Sequence, residues 1–436
     1  MKKNKIALLA LLGLGLFSAG TASAVVNTIY VVGSTAFRPV FYAAMKTGGG
    51  TNLVFDGGNP ATVIGGTDAN SSSQIVYSNM IASTPTVINC SWTGSEAGIA
   101  GITGNSLADV TIPAAFNGGT NTTQTPNLPG APAYFLNPGN NYVGQTYTTT
   151  PDISLADTSV LSSQTAKTAV HDMGIVGVIP FLMAKNKNSS PGVNSTWTNL
   201  VNISYPQLFY LAKSGAQSGN FFTGKSGDSA SVYLVGRNRG SGTRVNALLA
   251  PYVYPTQPHQ YVIQNTVYEP ASTAFAGAPL TLTLDPSPTA FNDSQVIETP
   301  NGDGFDSGSG VGKILHCDGT AATSSVLVGY ISVADFGSYA SGAVQLTVDG
   351  VAESDGAVCN GAYSFYGHEH LIEKNSPSSY AHSFATSLLT ALPSACPSGA
   401  TLTDANQSYA INPSLMVADK PTSSLGGAGD TGYPSQ

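Results

Sequence analysis

Three short segments, far apart in the chain, carry the residue types that a tetrahedral oxyanion needs. Thr35 follows Gly33-Ser34, and Ser95 follows Gly94. Ser241-Gly242-Thr243 comes four residues after Arg237. A multiply charged anion needs many hydrogen-bond donors. Helix N-termini supply unpaired N–H groups and the positive end of a dipole. Small hydroxyl residues add donors without blocking approach, and glycine lets the backbone come close. A guanidinium contributes a charged fork. Taken singly, Thr35 and Ser95 read as ordinary helix caps, since Ser and Thr are preferred there in any protein. An Arg beside a Gly-rich turn reads singly as a surface charge. The repetition of one combination at three places is what points to a binding site.

Other constellations carry less. Gly308-Ser309-Gly310-Val311-Gly312-Lys313 is followed by Ile314, so the hydroxyl of a nucleotide-binding loop is missing, and Ser307 stands where its first glycine belongs. His368-Glu369-His370 lacks the spacing of a helical zinc site and reads as packing or surface. There is no G-x-S-x-G elbow, and nothing points to a Ser/His/Asp triad. No cofactor is implied.

The three segments sit in similar surroundings. Val25 to Val32 is an apolar strand run, Gly33-Ser34-Thr35 turns it, and Phe37, Val40, Phe41, Ala44 and Met45 fall on one helical face. Pro39 suits a first helical turn. Thr86 to Cys90 reads as a second strand, Thr93-Gly94-Ser95 as its turn, and Glu96 to Ile102 as a short helix. Ser231 to Val235 reads as a third strand. A loop runs from Arg237 to Ser241, and a helix from Thr243 to Ala250 halts at Pro251. Alternating strands and helices predict an α/β sheet open at its carboxyl edge, where ligands bind. Residues 106–150 are rich in Gly, Asn, Thr and Pro and read as a long surface insertion. Apolar runs at Gly174 to Ala184 and Val326 to Val333 are candidates for strands that cross between lobes.

The chain opens with Lys2, Lys3 and Lys5, an apolar run from Ile6 to Phe17, and Ala22-Ser23-Ala24. This is the pattern of a secretory signal peptide, residues 1–24, cleaved after Ala24. The run is short for a membrane anchor. Export places the mature chain in the periplasm or outside the cell. Charged residues are only 9% of the chain. Without the three leader lysines, 13 of the 16 basic residues remain against 24 acidic ones, a net charge near −11. Such a surface repels nucleic acid. An anion must therefore be held by local geometry against the overall field. Cys90, Cys317, Cys359 and Cys396 permit two disulfides in an oxidising compartment, with three connectivities, of which Cys359 with Cys396 is the most local.

Arg237-Asn238-Arg239-Gly240-Ser241-Gly242-Thr243-Arg244, after a Val-rich strand, resembles the R-x-x-G-S-G-T loop of periplasmic phosphate-binding proteins. These are the substrate-binding subunits of phosphate ABC importers and relatives of the DING proteins. Further segments resemble that family in the same order. Gly33 to Pro39 is similar to its first ligand loop, Gly94 to Ile99 to its second, and Asp152 to Asp157 to the segment carrying its acidic ligand residue. Trp197 to Gly224, Asp306 to Leu315 and Val328 to Ser332 resemble later segments. Arg239 stands where the family loop often has Asp, and the stretch from Ser95 to Asp157 is longer than usual.

The resemblance implies a type II periplasmic-binding-protein fold, with two α/β lobes joined by a hinge. Lobe one would be residues 25–178 plus 326–436, and lobe two residues 179–325. It also implies that Thr35, Ala36, Ser95, Asp157, Arg237, Ser241, Gly242 and Thr243 ring the anion. A carboxylate there makes sense only beside a ligand that still carries a proton. Phosphate does near neutral pH and sulfate does not, so Asp157 would discriminate between them. On its residues alone, Asp157 also reads as an N-cap for a helix over Thr158 to Leu161. The implied protein is a monomer and no enzyme. It delivers inorganic phosphate to an inner-membrane ABC permease and binds no nucleic acid. Other readings are another oxyanion (sulfate, molybdate, tungstate or arsenate) or an extracellular interaction protein on the same fold.

Overall fold

The computed structural model describes residues 27–47, 74–81, 84–92, 94–103, 113–117, 143–148, 151–163, 170–249, 251, 253, 257–263, 266–269, 281–284, 290–299, 302–305, 307–319, 325–397 and 407–417. The leader and its cleavage site lie outside these residues, as does most of the 106–150 insertion. Within that insertion, Pro113–Asn117 pairs antiparallel with Val143–Thr148.

Among the described residues the fold is mixed α/β, built on an eleven-stranded sheet. Asn27–Gly33 is its organising strand at one end. It runs parallel to Thr84–Ser91 on one side and to Ile153–Ala156 on the other. Gly33 and Ser91 end two of these strands at the same edge, and Ala156 ends the third. The turns that follow therefore meet there. Side-chain-free contacts enforce this closeness. A Cβ on Gly33 would lie 1.8 Å from the Leu155 carbonyl oxygen, and Gly94 N–H donates to the Gly33 carbonyl at 2.9 Å. Gly33 has φ +125, which L side chains avoid.

Val170–Lys185 joins the two ends of the sheet. Its first part, to Pro180, pairs antiparallel with Tyr366–Lys374, with two register shifts. Its last part, Phe181 to Lys185, pairs with Val326–Ser332 and, from Met183, with Val344–Val348. Val326–Ser332 in turn runs parallel to Ser231–Val235. The change of partners falls between Pro180 and Phe181. Residues 326–332 lie between Ser231–Val235 and this strand, away from the N-terminal end of the sheet. The chain returns to that end only with Tyr366–Lys374, which pairs Ile153–Ala156. An apolar run alone does not say which neighbour it will bond.

Two large buried apolar clusters pack on the sheet, and the larger spans both of its ends, since it also holds Val232, Leu234, Val328 and Tyr330. The larger one includes Phe37, Phe41, Trp92, Phe181 and Tyr366, and the smaller includes Phe291, Phe305, Val311 and Leu327. All four cysteines are buried free thiols, Cys359 and Cys396 included.

Candidate functional site

The first turn lies between its strand and a helix that begins at Arg38. Thr35 is thus three residues ahead of the helix, within the turn, and is partly exposed. Ser34 is 1% exposed, and its Oγ accepts the Phe37 N–H at 3.3 Å. Ala36 is buried beside it.

The second turn opens the Ser95–Thr103 helix directly. Ser95 does not use its side chain as a cap. Its Oγ donates to Asp157 Oδ1 at 2.6 Å and accepts Asp157 N–H at 3.1 Å. No helix forms over 158–161, and the segment is a turn. Asp157 is therefore not an N-cap, and its carboxyl is committed to Ser95. Glu96, next in the helix, accepts from Thr158 Oγ1 and Ser163 Oγ, both at 3.0 Å. It pins the turn that carries Asp157.

The third turn follows Ser231–Val235. Arg237 is 2% exposed and bridges to Phe305, whose carbonyl accepts Arg237 Nε at 3.2 Å. Its backbone N–H donates to Tyr330 OH at 3.0 Å, and Tyr330 OH donates to Gln260 Oε1 at 2.5 Å. Gln260 Nε2 reaches the carbonyls of Arg237, Gly302 and Asp303. Arg244 braces the loop from the helix side, its Nη1 donating to the Arg237 and Gly302 carbonyls at 2.9 and 2.6 Å. Ser241 acts as the cap of the Gly242–Leu249 helix, its Oγ accepting Arg244 N–H at 3.2 Å. Its hydroxyl hydrogen is not used in that bond. Thr243 is buried in the first turn of the helix.

These turns converge. A Cβ on Gly242 would lie 1.6 Å from Asp157 Oδ1 and 2.8 Å from Ser95 Cβ. Ala97 N–H donates to the Gly240 carbonyl at 3.2 Å, and Asn246 Nδ2 donates to the Asp157 carbonyl at 2.7 Å. Ser95, Asp157, Ser241 and Gly242 thus occupy one buried spot. Arg237 is near enough for its charge to act on Asp157. The carboxyl of Asp157 is pushed from the ordinary 3.8 to about 6. Burial raises it; the Ser95 hydrogen bond and then the Arg237 charge pull it back. Near neutral pH it remains an ionised acceptor facing a helix N-terminus and a guanidinium.

Sequence reasoning missed Glu96, Gln260, Tyr330, Asn246 and Arg244 as the braces of the site. Glu96, Arg244, Asn246 and Tyr330 stood in segments singled out beforehand, but none was given a role there. Gln260 is a single polar residue outside those segments. Among the described residues, no group of three or more His, Cys, Asp or Glu is placed to hold a metal ion, and no helix is long and apolar enough to cross a membrane.

No family model matches the sequence, and no curated protein matches it. Solved structures similar to this one include an ABC-type phosphate transport receptor from Vibrio cholerae, 12% identical, aligned over 83% of this chain and 93% of that one with a TM-score of 0.40. A substrate-binding protein with bound phosphate from Clostridium perfringens, described as a phosphate ABC transporter component, is 12% identical over 83% and 93% with a TM-score of 0.39. A phosphate-binding protein from Stenotrophomonas maltophilia is 12% identical over 84% of each chain with a TM-score of 0.36.

Proposed function

We propose that this chain is a periplasmic or secreted binding protein for inorganic phosphate, not an enzyme, and that it hands its ligand to an inner-membrane ABC permease as a monomer. In this reading it has the type II periplasmic-binding fold. One lobe is the N-terminal end with the chain after residue 365, and the other is residues 179–365. What carries the reading is one buried meeting point, where Ser95 and Asp157 from one end of the sheet touch Gly242 and the Arg237 loop from the other. Thr35 and Ala36 close it from the first turn. Arg237 supplies positive charge against a net-negative protein. Ser95, Ser241, Thr243 and the N–H groups of the Gly242–Leu249 helix supply donors.

Asp157 sets the choice of ion. A carboxylate accepts only, so a bound oxyanion must present a proton to it. Hydrogen phosphate does; sulfate would leave two acceptors facing each other, desolvated.

Calorimetric titration with phosphate and with sulfate tests this. Phosphate is expected to bind wild type and sulfate not, while Arg237→Ala loses binding and Asp157→Asn narrows the difference between the two ions. A wild-type protein that takes up sulfate in preference to phosphate, or neither, refutes it.

A further inference from the structure

Glu369 lies in the middle of the sheet with no exposure, and neither carboxyl oxygen makes a hydrogen bond of ordinary geometry, although the Ser34 hydroxyl is near enough to act on it. Its direction follows from register. Glu369 stands opposite Gly177. The space over Gly177 is filled by the Phe37 ring, since a Cβ there would lie 2.4 Å from Phe37 Cε2. Opposed residues of an antiparallel pair project from the same face. Glu369 therefore projects beneath the Ser34-to-Phe37 turn. On its other side His370 pairs with Ala156, which brings Glu369 alongside Asp157. His368 and His370 alternate to the opposite face.

Groups that act on Glu369 include the Asp157 carboxylate and the Ser34 hydroxyl, and Glu369 in turn acts on the Cys396 thiol just past the Ser379–Ala395 helix. Burial first, then the Asp157 charge, hold Glu369 well above the ordinary carboxylate range, and Ser34 offsets part of this. A buried, unpaired carboxylate is too costly to persist, so the group is the neutral acid. It then has a proton to give. Ser34 has somewhere to take it. A hydroxyl has one hydrogen and two lone pairs. One lone pair already accepts the Phe37 N–H.

We propose that Glu369 is a positioning residue of the anion site: it donates its acid proton to the second lone pair of Ser34 Oγ, so that the Ser34 hydroxyl can only donate, and donates to the bound anion. This rests on the anion-site reading above. The two carboxyls then have opposite tasks. Asp157, ionised, accepts the ligand's proton, and Glu369, neutral, fixes the polarity of a donor. Environments that push two neighbouring carboxyls apart in this way are how one site holds both an acid and a base. Ionising Glu369 would reverse the Ser34 hydroxyl and add a negative charge behind the ligand.

The test is phosphate titration of wild type, Glu369→Gln and Ser34→Ala, near neutrality and at alkaline pH, each variant's folding being followed by melting. Wild-type affinity should fall at alkaline pH. Glu369→Gln, which donates but cannot ionise, should bind near wild type at neutrality and lack that alkaline fall. Ser34→Ala should bind about tenfold or more weakly at neutrality. The proposal is overturned if folded Glu369→Gln shows the wild-type alkaline fall. It is also overturned if Ser34→Ala binds as tightly as wild type, an outcome that does not depend on Glu369→Gln folding. A wild type that binds no phosphate would instead defeat the functional reading itself.

Discussion

Replacing Asp157 with Asn should make the protein more stable while making its site less selective. Asp157 is 2% exposed and its carboxyl titrates at about 6 instead of 3.8. The native state therefore holds the proton more tightly than the unfolded chain does. Below about pH 4 both states are protonated and Asp157 costs nothing. Between 3.8 and 6 the unfolded chain ionises first, so stability falls as pH rises. Above about pH 6 the loss is complete, and a shift of this size corresponds to about 3 kcal/mol. Asn does not ionise, and its amide oxygen can still accept from Ser95. The variant should thus match wild type at pH near 4 and exceed it by as much as about 3 kcal/mol at pH 7. Urea unfolding at the two pH values, without phosphate, measures this. Equal stability of the two proteins at pH 7 would refute the claim that burial dominates the environment of Asp157. A variant less stable than wild type at pH 7 would show that Ser95 and Arg237 outweigh burial there.

Glu353 should behave in the same sense. It is buried, its proton affinity is raised from 4.5 to about 8 by burial and then by Asp355, and Glu353→Gln should stabilise the protein at pH 7 by up to about 3 kcal/mol and not at pH near 4, as read by melting at both. Gly242→Ala places a methyl group against Asp157 Oδ1 and Ser95 Cβ. The gain in helix propensity is about 1 kcal/mol at best, so titration should show phosphate binding at least about tenfold weaker with the fold kept.

The sequence disclosed the strand–turn–helix units because their signals are local. Asn27–Gly33 before Arg38–Thr47, Thr84–Ser91 before Ser95–Thr103, and Ser231–Val235 before Gly242–Leu249 each combine an apolar run, a glycine turn and a helical apolar face. Asp157 and Arg237 stood out only as parts of a longer pattern. Glu369 stood out only as the middle of His368-Glu369-His370, which reads as packing or surface. Its neighbours on either side are histidines, and a polar triplet suggests surface. Burial comes from Ile153–Ala156 on one side and Val170–Lys185 on the other, and no residue near it in the chain announces either. The same holds for Val326–Ser332, whose parallel partner lies about ninety residues back.

What long-range pairing concealed includes the buried carboxyls. Asp157, Glu369 and Glu353 are buried carboxyls whose proton affinities are all raised. A fold selected for stability alone would replace such groups with apolar residues. Two of the three lie beside each other under the first turn, and one of those two touches Ser95 and Gly242. Structural need does not account for that clustering, because the Asp157 carboxylate raises the cost of ionising Glu369. The proposed recognition of a protonated anion does account for it. Such a site requires one acceptor for the ligand's proton and donors everywhere else, and a second carboxyl meets the donor requirement only while it stays neutral. Burial first, and then the charge of Asp157, keep it so.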